Sequence, residues 1–357
     1  MARGISHPPS PTHGINTLGN SSHTGDDTTL KGILLLVLGL TVFSLQDVIM
    51  KVFSSQMAVQ EVIFLRGLVT LIPVSLGLYL TGGPGAFATR KLFLSCLRGA
   101  AGFICFTTFS MALAVLPLAD AMPLYYTAPL FVVIFSIPLL GEQVGWRSWL
   151  AIVAGFLGVV FVAQPSADGI EPAMILAIVS ACAYSAQSLL ARLLGPTESA
   201  LRMTFYSMLT FVALSGAMGL AFGSGWLDRF SHPSAQYLFR AWSVPDLAQT
   251  GLIVAVGLIA AAGFYCISQA YRLGEANSIA PFEYSSLPVA VLWGWLFWGD
   301  IPGSTTITGS MLIVGSGLFI LYREVVKRRE RRRAAAIRRS AAGICDPLMT
   351  AGKKATM

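Results

Sequence analysis

Charged residues are scarce in this chain of 357 residues: Asp, Glu, Lys and Arg make up 11%, whereas hydrophobic residues make up 55%. A soluble globular domain normally carries about 25% charged residues. The chain therefore has too few charges to cover a globule with solvated surface, which excludes an ordinary soluble protein. The chain instead contains long hydrophobic segments, which indicate a protein embedded in a lipid bilayer.

Histidine is scarcer still, and all four histidines lie outside the hydrophobic segments: His7, His13, His23 and His232. An intramembrane Ser-His pair and a histidine-based metal site are therefore excluded. The chain also has no G-x-x-x-x-G-K-[ST] phosphate loop, so we expect no ATP hydrolysis by the chain itself. Four of the five cysteines lie in hydrophobic segments, and no disulfide framework is implied. We predict no enzyme activity, no metal site and no cofactor.

Ten hydrophobic segments of roughly 20 residues follow one another, each long enough to cross a ~30 Å hydrocarbon core as a helix. They are residues 32–50, 61–80, 92–113, 119–140, 147–164, 172–192, 203–223, 248–272, 276–298 and 304–322. The sequence therefore predicts an all-α membrane protein with ten transmembrane helices.

The two ends of the chain differ from the rest in composition. Residues 1–30 are rich in Ser, Thr, Gly, Pro and His and have no apolar run, so we expect a disordered tail. Residues 323–357 hold eleven Lys or Arg against three Asp or Glu. We expect this basic tail to lie on anionic lipid rather than to bind nucleic acid.

Lys and Arg are also distributed unevenly between the loops. With the N-terminus placed inside, nineteen of them fall in inside segments and three in outside segments. Because positive residues favour the cytoplasmic side of a membrane, we expect both termini to be cytoplasmic.

The two halves of the chain echo each other. A shift of 158 residues brings Gly141-Glu142 onto Gly299-Asp300, Pro123 onto Pro281 and Tyr126 onto Tyr284. Each half, residues 31–164 and 172–322, then contains five spans. Because five is an odd number, the second copy must lie upside down relative to the first, an arrangement frequent in secondary carriers. The sequence therefore predicts two inverted five-helix repeats.

A Gly-acid turn closes the fourth and the ninth span, and a Gly-rich span follows each turn. With these features, and with the segments 116–121 and 269–272, the chain resembles the drug/metabolite transporter superfamily, EamA type, over residues 31–322. The resemblance implies a ten-helix carrier of the inner membrane. Such a carrier moves a small polar organic metabolite by alternating access, and proton coupling is one way to drive it.

The resemblance leaves the cargo open, because the superfamily carries amino acids, nucleobases, riboflavin, S-adenosylmethionine and drugs. We expect an amino-acid-like, S-adenosylmethionine-like or riboflavin-like small molecule, moved inward or outward. A channel and a structural scaffold in the membrane are the alternatives. Against them, the chain has no filter-like repeat or ring of acids, and its exposed segments are short. A monomer and a homodimer both stay open.

Prolines interrupt the fourth and ninth spans: Pro123, Pro129, Pro281 and Pro288. Helix breaks of this kind free backbone carbonyls where a cavity can use them. We therefore expect a cavity between the halves, at the middle of the membrane.

Glu283 is the most informative candidate residue. It lies eight residues into the ninth span, about 12 Å along the axis at a rise of 1.5 Å per residue. On insertion scales the comparable Asp costs roughly 2.5–3.5 kcal/mol at such a depth, so a carboxylate without a function is not expected there. We predict that Glu283 binds a cationic group or exchanges a proton.

Polar and aromatic residues at comparable depth complete the predicted binding site. The candidates are Glu283, Tyr284, Tyr126, Tyr125, Gln187, Tyr184, Tyr265, Gln269, Arg98 and Arg66. Hydrogen bonding between helices is the alternative role for the Tyr and Gln residues, and snorkelling to the membrane surface is the alternative for the two Arg residues. Asp47 and Lys51 lie four residues apart, so an ion pair on the helix surface explains them at least as well as a role in transport.

Overall fold

The computed structural model describes residues 21–141, 144–164, 171–195, 197–273, 280–323 and 326. Most of the two predicted tails therefore lies outside the described residues. Residues 21–30, which the sequence assigns to a disordered tail, are helical and form the start of the first helix. A helix propagates at little cost once a long apolar segment has nucleated it, so α1 can begin before the first apolar residues.

The described part of the chain is helical and contains no strand. Its α-helices are α1 (Ser21–Phe53), α2 (Val59–Gly82), α3 (Leu92–Leu113), α4 (Leu118–Tyr125), α5 (Ala128–Leu140), α6 (Trp146–Ala163), α7 (Pro172–Leu194), α8 (Ala200–Phe222), α9 (Pro233–Phe239), α10 (Leu247–Leu273), α11 (Ser286–Trp298) and α12 (Ser304–Arg323). Two short 3-10 helices, Pro84–Phe87 and Ala280–Ser285, precede α3 and α11.

Nine segments within the described residues are helices long and apolar enough to cross a membrane, with α4 and α5 counted as one span. They correspond to nine of the ten predicted spans. The remaining one, residues 276–298, begins outside the described residues and continues as the 3-10 helix Ala280–Ser285 and α11. The prediction of an all-α membrane protein is confirmed.

The outer surface of the bundle is apolar. Large hydrophobic side chains stand exposed on it, among them Ile72 at 70%, Leu80 at 74% and Met311 at 70%. Such a surface would drive aggregation in water, whereas lipid chains cover it without cost. The chain is a multi-pass membrane protein.

Breaks in two spans supply backbone acceptors to the interior. α4 ends at Tyr125 and α5 begins at Ala128, with Pro129 in its first turn. Because proline lacks an N–H and disturbs the preceding turn, nearby carbonyls lose their helical partners. At this break the carbonyl of Ala128, the first residue of α5, accepts a hydrogen bond from Ser185 Oγ of α7 at 2.8 Å. The break therefore joins the first half to the second.

The two halves pack together in a reciprocal pattern. α1 packs on α10 and α3 packs on α7, so the first helix of each half lies against the third span of the other. α2 packs on α8 and α4 on α11, which are corresponding spans of the two halves. Exchanging the halves leaves these pairs unchanged.

Glycines bring α6 and α12 into close contact. A Cβ at Gly158 would stand 2.7 Å from the carbonyl oxygen of Gly309, and a Cβ at Gly309 would stand 2.6 Å from that of Gly158. Backbones can approach this closely only where side chains are absent. The interpretation of Gly158 as a packing residue is in agreement with this contact.

At one end of the bundle, Lys51 ties three chain segments together. Its Nζ donates to the carbonyl of Leu116 at 2.8 Å, lies 3.9 Å from Asp300 Oδ2 and stands 5.0 Å from the centre of the Trp298 ring. The predicted surface ion pair of Lys51 with Asp47 was therefore wrong. The ammonium turns toward the loops because a carbonyl, a carboxylate and a ring face together compensate its loss of water.

At the opposite end, the start of α8 is tied to the segment before α3. Arg202 Nη1 donates to Glu198 Oε2 at 2.9 Å and its Nε donates to the carbonyl of Ala86 at 2.6 Å, while Thr89 Oγ1 donates to Glu198 Oε1 at 2.7 Å. Burial raises the pKa of Glu198, but the hydrogen bonds from Thr89 and Arg202 outweigh it and hold that pKa below its usual range. Polar contacts thus tie the chain segments together at both ends of the bundle.

Candidate functional site

A cavity of about 400 Å³ lies between the two halves, with walls contributed by both. This volume is in the range of sites that hold small organic molecules. Eight of the ten predicted site residues line it: Arg66, Arg98, Tyr125, Tyr126, Tyr184, Gln187, Glu283 and Tyr284. The lining continues to Ala191 and Thr204, near the end of the bundle that carries Glu198.

Tyr265 and Gln269, the other two predicted residues, do not line this cavity. α10 contributes Ala260 and Ile267 to the wall instead. Tyr265 and Gln269 each lie two residues from Ile267, which at about 100° per residue turns them to the far side of the helix. Tyr265 is accordingly 63% exposed on the outside of the bundle. We remove both residues from the candidate site.

Five aromatic rings form a continuous cluster in the wall. The ring centre of Tyr125 lies 5.0 Å from that of Phe109, 5.7 Å from that of Tyr126 and 5.4 Å from that of Tyr184. Tyr126 in turn lies 5.2 Å from Tyr284. Tilted and edge-to-face rings at such distances are stabilising contacts, and four of the five rings carry a polar phenol group into this part of the wall. The cluster joins α3, α4, α7 and the 3-10 helix before α11.

Glu283 enters the cavity from the 3-10 helix Ala280–Ser285. The backbone there is held from two sides, since the carbonyl of Glu283 accepts hydrogen bonds from Tyr126 Oη at 3.1 Å and from Ser286 Oγ at 3.0 Å. Tyr126 and Ser286 also hydrogen-bond to each other through their hydroxyls. The carboxylate of Glu283 interacts electrostatically with the phenol groups of Tyr126, Tyr184 and Tyr284. The carboxylate thus stands at the aromatic cluster, on a backbone fixed by both halves.

Arg66 lies deep in the bundle and is 5% exposed. Its Nη1 donates to Gln46 Oε1 at 2.9 Å, and its guanidinium carbon stands 3.6 Å from the centre of the Phe106 ring. Its Nε has no hydrogen-bond partner among the described residues. Snorkelling to the surface, the alternative raised by the sequence, is therefore wrong for Arg66: Gln46 and the ring hold the guanidinium inside.

Arg98 reaches the cavity from α3. Its Nη1 donates to Ser207 Oγ at 2.6 Å and to the carbonyl of Met203 at 3.2 Å, both on α8. Its Nε also lacks a partner among the residues that the structure describes. The Arg98 guanidinium is half-buried and lines the cavity, so an anionic group in the cavity would be attracted to its positive charge.

The sequence model of the EamA-like transporter family matches the chain twice, over residues 30–164 and 171–322. The chain belongs to the EamA-like transporter family. The family is one of transporters rather than enzymes, as the sequence predicts.

Named relatives of this EamA-like protein are transporters of different small molecules. The chain is 25% identical over 297 residues to an S-adenosylmethionine uptake transporter of Rickettsia prowazekii, covering 83% of this chain and 94% of the relative. It is 33% identical over 222 residues to a riboflavin transporter of Rhizobium johnstonii, covering 62% and 67%. It is 26% identical over 289 residues to a pseudopaline exporter of Pseudomonas aeruginosa, covering 81% and 95%.

A solved structure supports the fold of this EamA-like chain. It superposes with a TM-score of 0.54 at 18% identity and covers 85% of this chain and 99% of the other.

Asp47 is the residue of the EamA-like site that the sequence reasoning undervalued. It lines the cavity from α1, next to Gln46, and acts electrostatically on Arg66 of α2. The signal that singles out Glu283, a carboxylate inside an apolar span, applies equally to Asp47. The proximity of Lys51 along the helix obscured it, because four-residue spacing suggests a local ion pair.

Proposed function

We propose that the protein is a secondary carrier of the inner membrane that moves a small polar organic metabolite by alternating access. The observation that carries this proposal is the cavity of about 400 Å³, to which the described residues of both halves contribute two carboxylates, two guanidiniums and a tyrosine cluster. Charged groups inside a membrane are retained for function because each is costly there. A scaffold would have no use for such a cavity.

We further propose that residues 31–164 and 172–322 are inverted repeats. The reciprocal helix pairs and the double match of the family model support this arrangement. In inverted repeats, exchange of the two conformations opens the site to alternate sides of the membrane. With both termini cytoplasmic, Lys51 and its partners would close the outer end, while the lining toward Ala191 and Thr204 would lead to the cytoplasm.

Glu283 is the centre of the proposed mechanism. Its carboxylate would bind a cationic group of the cargo or exchange a proton as access alternates. The support is its position: it sits on a segment whose backbone is bonded to Tyr126 of the other half. A relative movement of the halves would therefore change the surroundings of this carboxylate directly, and with them its affinity for a proton.

Comparison of metabolites in cells with and without the protein tests this proposal. We expect one or a few small polar compounds to accumulate on one side of the membrane, and the difference to disappear when the cavity is disabled by Glu283→Gln. The side of accumulation gives the direction of transport. Identical metabolite profiles at verified membrane abundance would contradict the carrier and favour a scaffold.

The orientation has its own test. Reporter fusions after residue 322 are expected to report the cytoplasm, and fusions within residues 224–247 the opposite side, because the loops with most Lys and Arg stay inside. A periplasmic report from the C-terminal fusion would contradict the proposed arrangement of five plus five spans.

A further inference from the structure

We propose that the cavity selects zwitterionic cargo, with an organic cation held at the tyrosine cluster between Asp47 and Glu283 and an anionic group held at Arg98. This inference rests on the proposed transport function and specifies its substrate class. The observations behind it are the charged side chains and the aromatic rings that line one cavity.

The cationic subsite combines the aromatic cluster with two carboxylates that line the same cavity, those of Asp47 and Glu283. Asp47 acts electrostatically on Tyr125 and Tyr126, and Glu283 acts on Tyr126 and Tyr184. Faces of aromatic rings attract ammonium and other onium groups, and the attraction grows where water is excluded. A neighbouring carboxylate adds a full charge to this attraction. An organic cation therefore has both a surface to stack on and a counter-charge.

The anionic subsite lies at Arg98, next to this cluster. Arg98 interacts electrostatically with Tyr184, which also interacts with Glu283, so one phenol lies within range of both subsites. The two acceptors of Arg98, Ser207 Oγ and the carbonyl of Met203, are neutral. The Arg98 guanidinium lines the cavity, where a carboxylate or phosphate group of the cargo would supply the missing negative charge.

Arg66 is assigned a different role. Asp47 acts electrostatically on its guanidinium, Gln46 accepts a hydrogen bond from it, and the Phe106 ring packs on it. The Nε of Arg66 also lacks a partner among the described residues, but Asp47 supplies a negative charge to this guanidinium, whereas the described acceptors of Arg98 are neutral. Among the described residues, two negative and two positive side chains line the cavity, and a cargo with one charge of each sign leaves this balance unchanged.

The first test takes the transported compounds that the comparison of cells with and without the protein identifies. The charged groups of each compound are then determined. We expect every transported compound to carry both a cationic and an anionic group. Transported compounds that are neutral, or that carry charge of one sign only, would overturn the inference and leave the carrier proposal standing. Identical metabolite profiles would overturn the carrier proposal itself, and this inference with it.

Variants of Arg98 provide the second arm. In cells matched for membrane abundance, Arg98→Gln is expected to reduce transport of the identified compound about 10- to 100-fold, the loss typical of a hydrogen bond to a charged group. Arg90→Gln, an exposed arginine shortly before α3, removes the same charge outside the cavity and is expected to stay within about twofold of the wild type.

Arg98 also ties α3 to α8, so Arg98→Gln could fail to reach the membrane. In that case Arg98→Lys tests the anionic subsite, because lysine keeps the positive charge but lacks the planar set of N–H donors of a guanidinium. We expect it to transport with about tenfold weaker apparent affinity for the zwitterionic cargo. Normal transport by Arg98→Gln, or normal affinity in Arg98→Lys, would overturn the assignment of the anionic subsite.

Discussion

Replacing Glu283 by glutamine is expected to leave the protein folded in the membrane while removing the pH dependence of transport. Glutamine keeps the shape of the side chain and its capacity to hydrogen-bond, but it cannot titrate or carry a charge. The hydrogen bonds that hold this segment to Tyr126 and Ser286 use the backbone carbonyl, so the substitution leaves them in place. Proton-coupled uptake or export should cease.

The size of the loss separates the two roles proposed for Glu283. If the carboxylate binds the cationic part of the cargo, apparent affinity should fall about 10- to 100-fold, as for other hydrogen bonds to charged groups. If it only exchanges a proton, cargo exchange should continue at a rate that no longer varies with pH. Transport assays in vesicles at several pH values, with and without an imposed proton gradient, measure both quantities.

Several groups around Glu283 can titrate or carry charge, and the assay has to separate them. Tyr126, Tyr184 and Tyr284 interact with its carboxylate, and Asp47 acts on Tyr126 from α1. Asp47→Asn should therefore be measured in parallel, since a pH dependence that disappears only in this variant would assign coupling to Asp47 instead.

A matched control removes a carboxylate elsewhere. Asp228 lies exposed between α8 and α9, so Asp228→Asn is expected to transport as the wild type does. Should Glu283→Gln behave like this control across the whole pH range, Glu283 would be a structural residue and the proposed mechanism would be wrong.

The sequence predicts the spans and their breaks well because both have local causes. Apolar length alone marks a transmembrane helix, and proline interrupts a helix wherever it stands. The break before α5 is an example, with Pro129 in the first turn. The tyrosines and Glu283 were found for a related reason: a polar residue at mid-membrane depth is costly, and its depth follows from counting residues.

What the sequence cannot provide is the rotation of a helix and the partner of a charge. Tyr265 and Gln269 lie at the expected depth in the membrane but on the face of α10 that points away from the cavity. Which face lines the cavity is decided by the packing of α10 on α1. Lys51 is paired with Asp300, which is distant along the chain, although Asp47 is the nearer acid in sequence. Both errors come from using local spacing where contacts between the halves decide.

A second substitution with a large expected effect on stability and transport is one that displaces the ring of Tyr284. Its phenol packs directly on Gly317 of α12, at the place that a Cβ of residue 317 would occupy. Gly317→Ala should therefore displace the Tyr284 ring within the cluster, since a close-packed interior cannot accept an added methyl group without movement. We expect a loss of stability of about 1–3 kcal/mol and a reduction of transport of about tenfold or more.

Gly315 offers a control on the same helix. A Cβ at Gly315 meets no atom within 4 Å, so Gly315→Ala adds the same methyl group to open space. Alanine favours the helix by about 1 kcal/mol over glycine at either position, so a weakened helix cannot explain a loss at 317 alone. Thermal unfolding in detergent and transport in vesicles should thus separate the two variants, with Gly315→Ala equal to the wild type or slightly more stable.

The double variant Gly317→Ala with Tyr284→Phe distinguishes packing from chemistry. Removing the phenol oxygen takes away the atom closest to the new methyl group and leaves the ring carbon Cζ at 2.9 Å, so stability should recover in part relative to Gly317→Ala, as a non-additive pair in contact does. If the double variant regains stability but not transport, the hydroxyl of Tyr284 takes part in binding cargo. If Gly317→Ala itself is as stable and as active as Gly315→Ala, the packing of Tyr284 on α12 is not as described, and Tyr284 leaves the candidate site.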